Sequence, residues 1–172
     1  HGSNVRGLQT TATYDKSSQE FILNTPNLRS IKWWPGCLGK VSTHAAVYAQ
    51  LVIDGQEYGL NVFVVQIRDE NHKTLPGLEI GDLGKKMGDN ANDTGYMIMQ
   101  NFRVPRECLL SRHQQVTPEG KYLKSKKKSS AKIKYATMLF TRAHMIKGAA
   151  ASLAKAAVIS IRYSCIRQQG FV

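Results

Sequence analysis

The Trp33-Trp34-Pro35-Gly36 tetrapeptide is the part of this 172-residue sequence best suited to receiving a ligand. Consecutive residues of a strand point to opposite faces, so one indole can enter a core while the other meets a ligand or a partner element. Pro35 and Gly36 would then end the strand and leave backbone that a flat cofactor can approach. Two ordinary core tryptophans account for the same residues, and on spacing alone both readings stay open. The other chemical signals are weaker. GCLGK (36–40) has the glycines and lysine of a phosphate loop, but not the GxxxxGKS or GxxxxGKT spacing. Asn92-Asp93-Thr94 is a glycosylation triplet of a kind that recurs by chance. Cys37, Cys108 and Cys165 are odd in number and far apart, which argues against a disulfide framework. His1, His44, His72, His113 and His144 are equally scattered, so no metal site is expected. No Ser/His/Asp or Cys/His set can be argued from spacing.

The elements that position these residues fall into two regions. Residues 10–15 and 19–25 alternate polar and apolar types around Ser17-Ser18, which predicts a hairpin. Residues 43–53 read as a long strand ended by the Asp54-Gly55 turn. LNVFVVQIR (60–68) is a nearly continuous apolar run, consistent with a buried strand. Pro76-Gly77 marks the next turn, and residues 95–104 read as one further strand closed by Pro105. About six strands with such punctuation predict a β barrel or sandwich. From Ala131 to Gln169 there is no proline and one interior glycine, Gly148. Tyr135, Met138, Leu139, Ile146, Ala149, Leu153, Ala156 and Ala157 recur at helical spacing. A helix of that span is about 57 Å long, too long to pack on a compact β domain alone. Its small-residue stretch GAAASLAKAA (148–157) suits close approach by other helices. The chain is therefore expected to be a piece of a larger protein.

Charge is unevenly spread. The formal net charge is +12, and the seven lysines of residues 121–134 account for the excess over +5. That run reads first as a solvated linker between the β and α regions. Only Tyr122 and Tyr135 interleave with it as stacking residues, so nucleic acid is not an expected partner. No run of about 18 purely apolar residues occurs, and Arg142, Lys147, Lys155 and Arg162 interrupt the helix, so no membrane span is expected.

Several segments in order resemble the peroxisomal acyl-CoA oxidases: HGSNVRGLQTTATYD (1–15), EFILNTP (20–26), IKWWPG (31–36), HAAVYAQL (44–51), GDLGKKMG (81–88), FRVPRECLL (102–110) and IRYSCIRQQ (161–169). The acyl-CoA dehydrogenases share the wider superfamily. The resemblance implies an α–β–α architecture, with the central β-barrel domain at residues 1–112, a lysine-rich linker at 113–130 and the first helix of a C-terminal bundle at 131–172. It implies FAD as cofactor, with Gly36 foremost and Trp33 and Trp34 next as contacts to the isoalloxazine. Arg167 and Gln169 match a helix motif that touches FAD phosphates, where the planar guanidinium suits bidentate binding. Ser3 matches a position near the substrate thioester. Cys37 stands where the family usually has a second glycine, and Gln168 stands where it has a second arginine.

The implied reaction is oxidation of a fatty acyl-CoA to the trans-2-enoyl-CoA, with molecular oxygen reduced to hydrogen peroxide. No catalytic residue is assigned within the chain, because every glutamate precedes the IRYSCIRQQ helix and the family's base is expected beyond Val172. A homodimer in the peroxisome is the implied setting. The alternatives are an acyl-CoA dehydrogenase that passes electrons to a carrier protein, and a non-catalytic acyl-CoA- or FAD-binding scaffold.

Overall fold

The computed structural model describes residues 4–124 and 130–170, which form a sheet-rich unit and one long C-terminal helix. Alternation of apolar and polar residues decides the sheet unit. The predicted hairpin forms from β1 (Thr11–Asp15) and β2 (Glu20–Asn24) in antiparallel register, Thr13 opposite Ile22. Its turn is held by the Asp15 carboxylate, which accepts from the Ser17 amide and hydroxyl at 3.0 and 2.6 Å. A two-residue strand, β3 (Lys32–Trp33), precedes the two longest strands, β4 (His44–Ile53) and β5 (Gln56–Gln66), which close on Asp54-Gly55. Both turn residues have positive φ, 51° and 77°, as a tight hairpin turn demands. β6 (Leu78–Asp82), β7 (Gly95–Met99) and β8 (Phe102–Pro105) follow.

The strands make a five-stranded sheet in the order β5-β4-β1-β2-β8 and a three-stranded sheet in the order β3-β7-β6. β1 and β4 pair in parallel, so the chain between β2 and β4 must leave the first sheet and return. That excursion contains β3 and the Trp-Trp-Pro-Gly segment. One core joins the sheets: Ala12, Phe21, Leu23, Val47, Leu51 and Phe63 from the first bury with Met97 and Met99 from the second. Phe21 and Phe63 meet edge to face, with ring centroids 5.0 Å apart.

Three expectations need correction. Residues 95–104 are two strands, not one. Gln100 and Asn101 (φ 49°) bend the chain so that β7 stays in the second sheet while β8 crosses to pair with β2 in the first. The run 60–68 is not buried on both faces, because one face of the sheet is left open: Phe63 and Val65 are buried, whereas Val64 is 42% exposed. The lysine-rich linker also starts later than residue 113. β9 (Gln114–Val116) and β10 (Tyr122–Lys124) form a hairpin, Val116 joins the core, Tyr122 packs on Tyr58, and Tyr14 donates to the Pro118 carbonyl at 3.0 Å. The sheet unit consequently extends through β10, past residue 112.

The second unit contains α1 (Ser130–Ile166), 37 residues and roughly 55 Å long. Its apolar side chains do not follow one stripe. Leu139, Phe140, Met145, Ile146, Leu153, Ile159 and Ile166 lie around the whole circumference, and all are exposed. A helix apolar on every side needs neighbours on every side. By length and mean hydropathy, Leu139–Ile166 is also long and apolar enough to cross a membrane, which the absence of an uninterrupted apolar run did not anticipate. Alanines and the apolar residues between its well-spaced cations raise the mean. The same composition describes the inner helix of a helical bundle.

Candidate cofactor ledge

β3 is held by β7, with Lys32 opposite Met97 and Trp33 opposite Tyr96. The strand stops there. Trp34 has φ 79° and Cys37 has φ 62°, left-handed backbone that non-glycine residues seldom adopt. The two indoles are therefore not placed by strand alternation. Trp33 lies on the ring of Tyr96, centroids 5.4 Å apart and planes 26° from parallel. Trp33 is 37% exposed and Trp34 59%. Pro35 and Gly36 are exposed beside them. Trp33, Trp34 and Gly36 thus come together as an open shelf backed by the stacked Trp33–Tyr96 pair.

The shelf is fastened from below. The Trp34 amide donates to the Gly95 carbonyl and the Gly95 amide to the Pro35 carbonyl, each at 3.0 Å. Glycine is required at 95, since a Cβ there would stand 2.5 Å from the Gly39 amide nitrogen. Asp93 receives the Lys40 and Val41 amides at 2.7 and 2.8 Å. These amides, led by that of Val41, hold its carboxyl below the usual carboxylate range. Asn92 Oδ1 accepts from the Cys37 amide at 3.4 Å. Buried Arg68 gathers the far end of the loop, donating to the carbonyls of Leu38 (3.0 Å), Gly39 (2.9 Å) and Ser42. Lys32 reaches from β3 to the Tyr48 carbonyl in β4 at 2.7 Å, and burial pushes its ammonium down to about 8.

Arg68, Asp93 and Tyr96 escaped the sequence reading because their roles are tertiary. The triplet at 92–94 did carry a signal, but its Asn and Asp serve the loop through hydrogen bonds. Arg167 and Gln169 belong to the second unit, just past the end of α1, and both are exposed; the Arg167 amide caps on Tyr163 at 2.9 Å. Ser3 lies outside the described residues. Among the described residues no cluster of three or more metal-ligating side chains occurs.

The shelf offers exposed indoles, an exposed glycine and no side chain at Gly36. Comparison with known proteins gives the context. The sequence is 53% identical over 98% of its length to rat peroxisomal acyl-coenzyme A oxidase 1. The chain is similar to acyl-CoA oxidases over nearly its whole length. A family model for the acyl-CoA oxidase C-alpha1 domain matches residues 135–172. Acyl-CoA oxidase 1 of Arabidopsis thaliana superposes over the whole chain with a TM-score of 0.91 at 44% identity. Acyl-CoA oxidase-2 of Caenorhabditis elegans, solved bound with FAD, ascaroside-CoA and ATP, superposes with a TM-score of 0.89 at 47% identity. The chain spans about a quarter of each of these relatives: 25% of the rat enzyme and 26% of both solved oxidases.

Proposed function

We propose that this chain is the flavin-facing part of a peroxisomal, FAD-dependent oxidase of fatty acyl-CoA, which forms the trans-2-enoyl-CoA and reduces molecular oxygen to hydrogen peroxide. The observation that carries the reading is the open Trp33–Gly36 shelf in a chain that matches acyl-CoA oxidases from end to end. Gly36 lets the ring approach the backbone, and Trp33 and Trp34 limit its tilt and shield it from water. Arg167 and Gln169 bind cofactor phosphates. When bound, FAD supplies the acceptor for the hydride that leaves the acyl chain. No carboxylate of this chain serves as the base for the α proton. The chain acts as part of a homodimer whose remaining helices close the pocket.

The experiment compares the 172-residue chain with its full-length reading frame. The full-length protein is expected to carry FAD and to release peroxide with palmitoyl-CoA under air. The 172-residue chain is expected to release none, even with added FAD. Peroxide from the short chain, or none from a flavin-loaded full-length protein, overturns the reading.

A further inference from the structure

One row of residues crosses the second sheet at the shelf. Trp33 on β3 is directly opposite Tyr96 on β7, and Tyr96 is directly opposite Gly81 on β6. Directly opposed residues share a face of the sheet and pack on one another. Tyr96 does so in both directions. Its ring carries the Trp33 indole, and it also leans over Gly81: a Cβ at position 81 would stand 2.4 Å from Tyr96 Cε1, 2.7 Å from Cζ and 2.8 Å from the hydroxyl oxygen. The hydroxyl donates to Glu79 Oε1 at 3.3 Å, two residues along the same strand. Gly81 does not have positive φ, so space rather than backbone conformation calls for glycine there. A glycine inside a strand weakens it. The glycine makes physical sense as the seat of the tyrosine ring.

We propose that Gly81 and Tyr96 set the tilt of Trp33: the glycine leaves room for the tyrosine ring, the ring backs the indole, and the indole plane forms one wall of the shelf. Tyr96 is a positioning residue, which acts on a bound ring only through Trp33. This rests on the flavin reading above and extends the site to β6, whose residues do not themselves form the shelf. The atoms that crowd position 81 all belong to the far end of the Tyr96 side chain. A methyl group at 81 is therefore accommodated by turning that ring, which disturbs the stack while the sheet stays paired. A glycine that served only the packing of the sheet would show its loss in stability and leave the cofactor indifferent.

The test measures FAD affinity of the full-length protein by quenching of flavin fluorescence, together with the near-ultraviolet circular dichroism and urea midpoint of the cofactor-free protein. Gly81→Ala is expected to bind FAD about five- to tenfold more weakly and to alter the aromatic dichroism. Tyr96→Ala should lose a similar factor, whereas Tyr96→Phe keeps the ring and should bind within about threefold of wild type. The decisive variant is the double one. With the ring gone, the methyl group at 81 displaces nothing, so Gly81→Ala in the Tyr96→Ala background should cost no further affinity. Losses that add in the double variant, or that follow the urea midpoint, overturn the inference. So does wild-type affinity in Gly81→Ala. If Gly81→Ala does not fold, wild-type affinity in Tyr96→Ala overturns it instead. The flavin reading fails separately: a folded wild-type protein that takes up no FAD removes the shelf as a cofactor site, whereas normal uptake by wild type and Gly81→Ala alike removes only the role of Gly81 and Tyr96.

Discussion

The sheet unit and the helix are built on opposite principles. In the first, period-two alternation sends Phe21, Leu23, Leu51, Phe63 and Val65 into one shared interior, each fully buried. In the second, Leu139, Ile146, Leu153 and Ile166 are at least 64% exposed. Hydrophobic burial stabilises roughly in proportion to the apolar area removed from water. The sheet unit therefore carries its own stability, while α1 draws its stability from whatever packs on it. Apolar content alone does not distinguish the regions; the periodicity of that content does.

The largest expected effect tests that contrast directly. Phe63→Ala should destabilise the sheet unit by about 3–5 kcal/mol, because a fully buried ring leaves a cavity. Leu153→Ala, equally apolar, should change the same urea transition by less than about 0.5 kcal/mol. Equal losses would show that the helix contributes to the core. Arg68→Met ranks next. It leaves the Leu38, Gly39 and Ser42 carbonyls without their buried donor, for an expected loss of about 2–4 kcal/mol. Paired with a measurement of FAD affinity, it separates the loop beneath the shelf from the core proper.

A smaller effect concerns acid. The folded-state pKa of Asp93 is lowered, so its contribution is fully present above the unfolded value of about 4 and is lost as pH falls below it. Asp93→Asn should lower stability at pH 7 to 8, where the carboxylate contributes fully, and change it least in strong acid, so that the acid limb flattens. An unchanged acid limb would mean that the Lys40 and Val41 amides do not depend on the carboxylate charge. The smallest effect belongs to Cys37→Gly. Glycine accepts φ 62° without a Cβ clash but adds entropy to the unfolded chain, so a net gain of at most about 1 kcal/mol is expected.

These contrasts also explain what could be read in advance. The β1–β2 hairpin, the Asp54-Gly55 turn and the long helix were legible because local pattern and turn chemistry fix them. The break at Gln100-Asn101 was not, since neither residue is a strong breaker and the bend exists to change sheets. The β9–β10 hairpin was hidden by lysines, although Tyr122 and Val116 supply its anchors. Trp33, Trp34 and Gly36 were legible as a candidate shelf. The residues beneath them were not: Arg68 reaches Leu38 across 30 positions, and Asp93 reaches Lys40 across 53. No spacing rule links residues that meet only after the second sheet has formed.

The sequence has two tryptophans, and both occupy the shelf. Intrinsic indole emission from this protein is therefore a local gauge of one loop rather than a measure of global folding. The shelf is pinned by β7, more than sixty residues downstream of it, so the emission should settle only after the second sheet has assembled. A stopped-flow record that follows amide circular dichroism alongside that emission would time the completion of the binding surface separately from the collapse of the core.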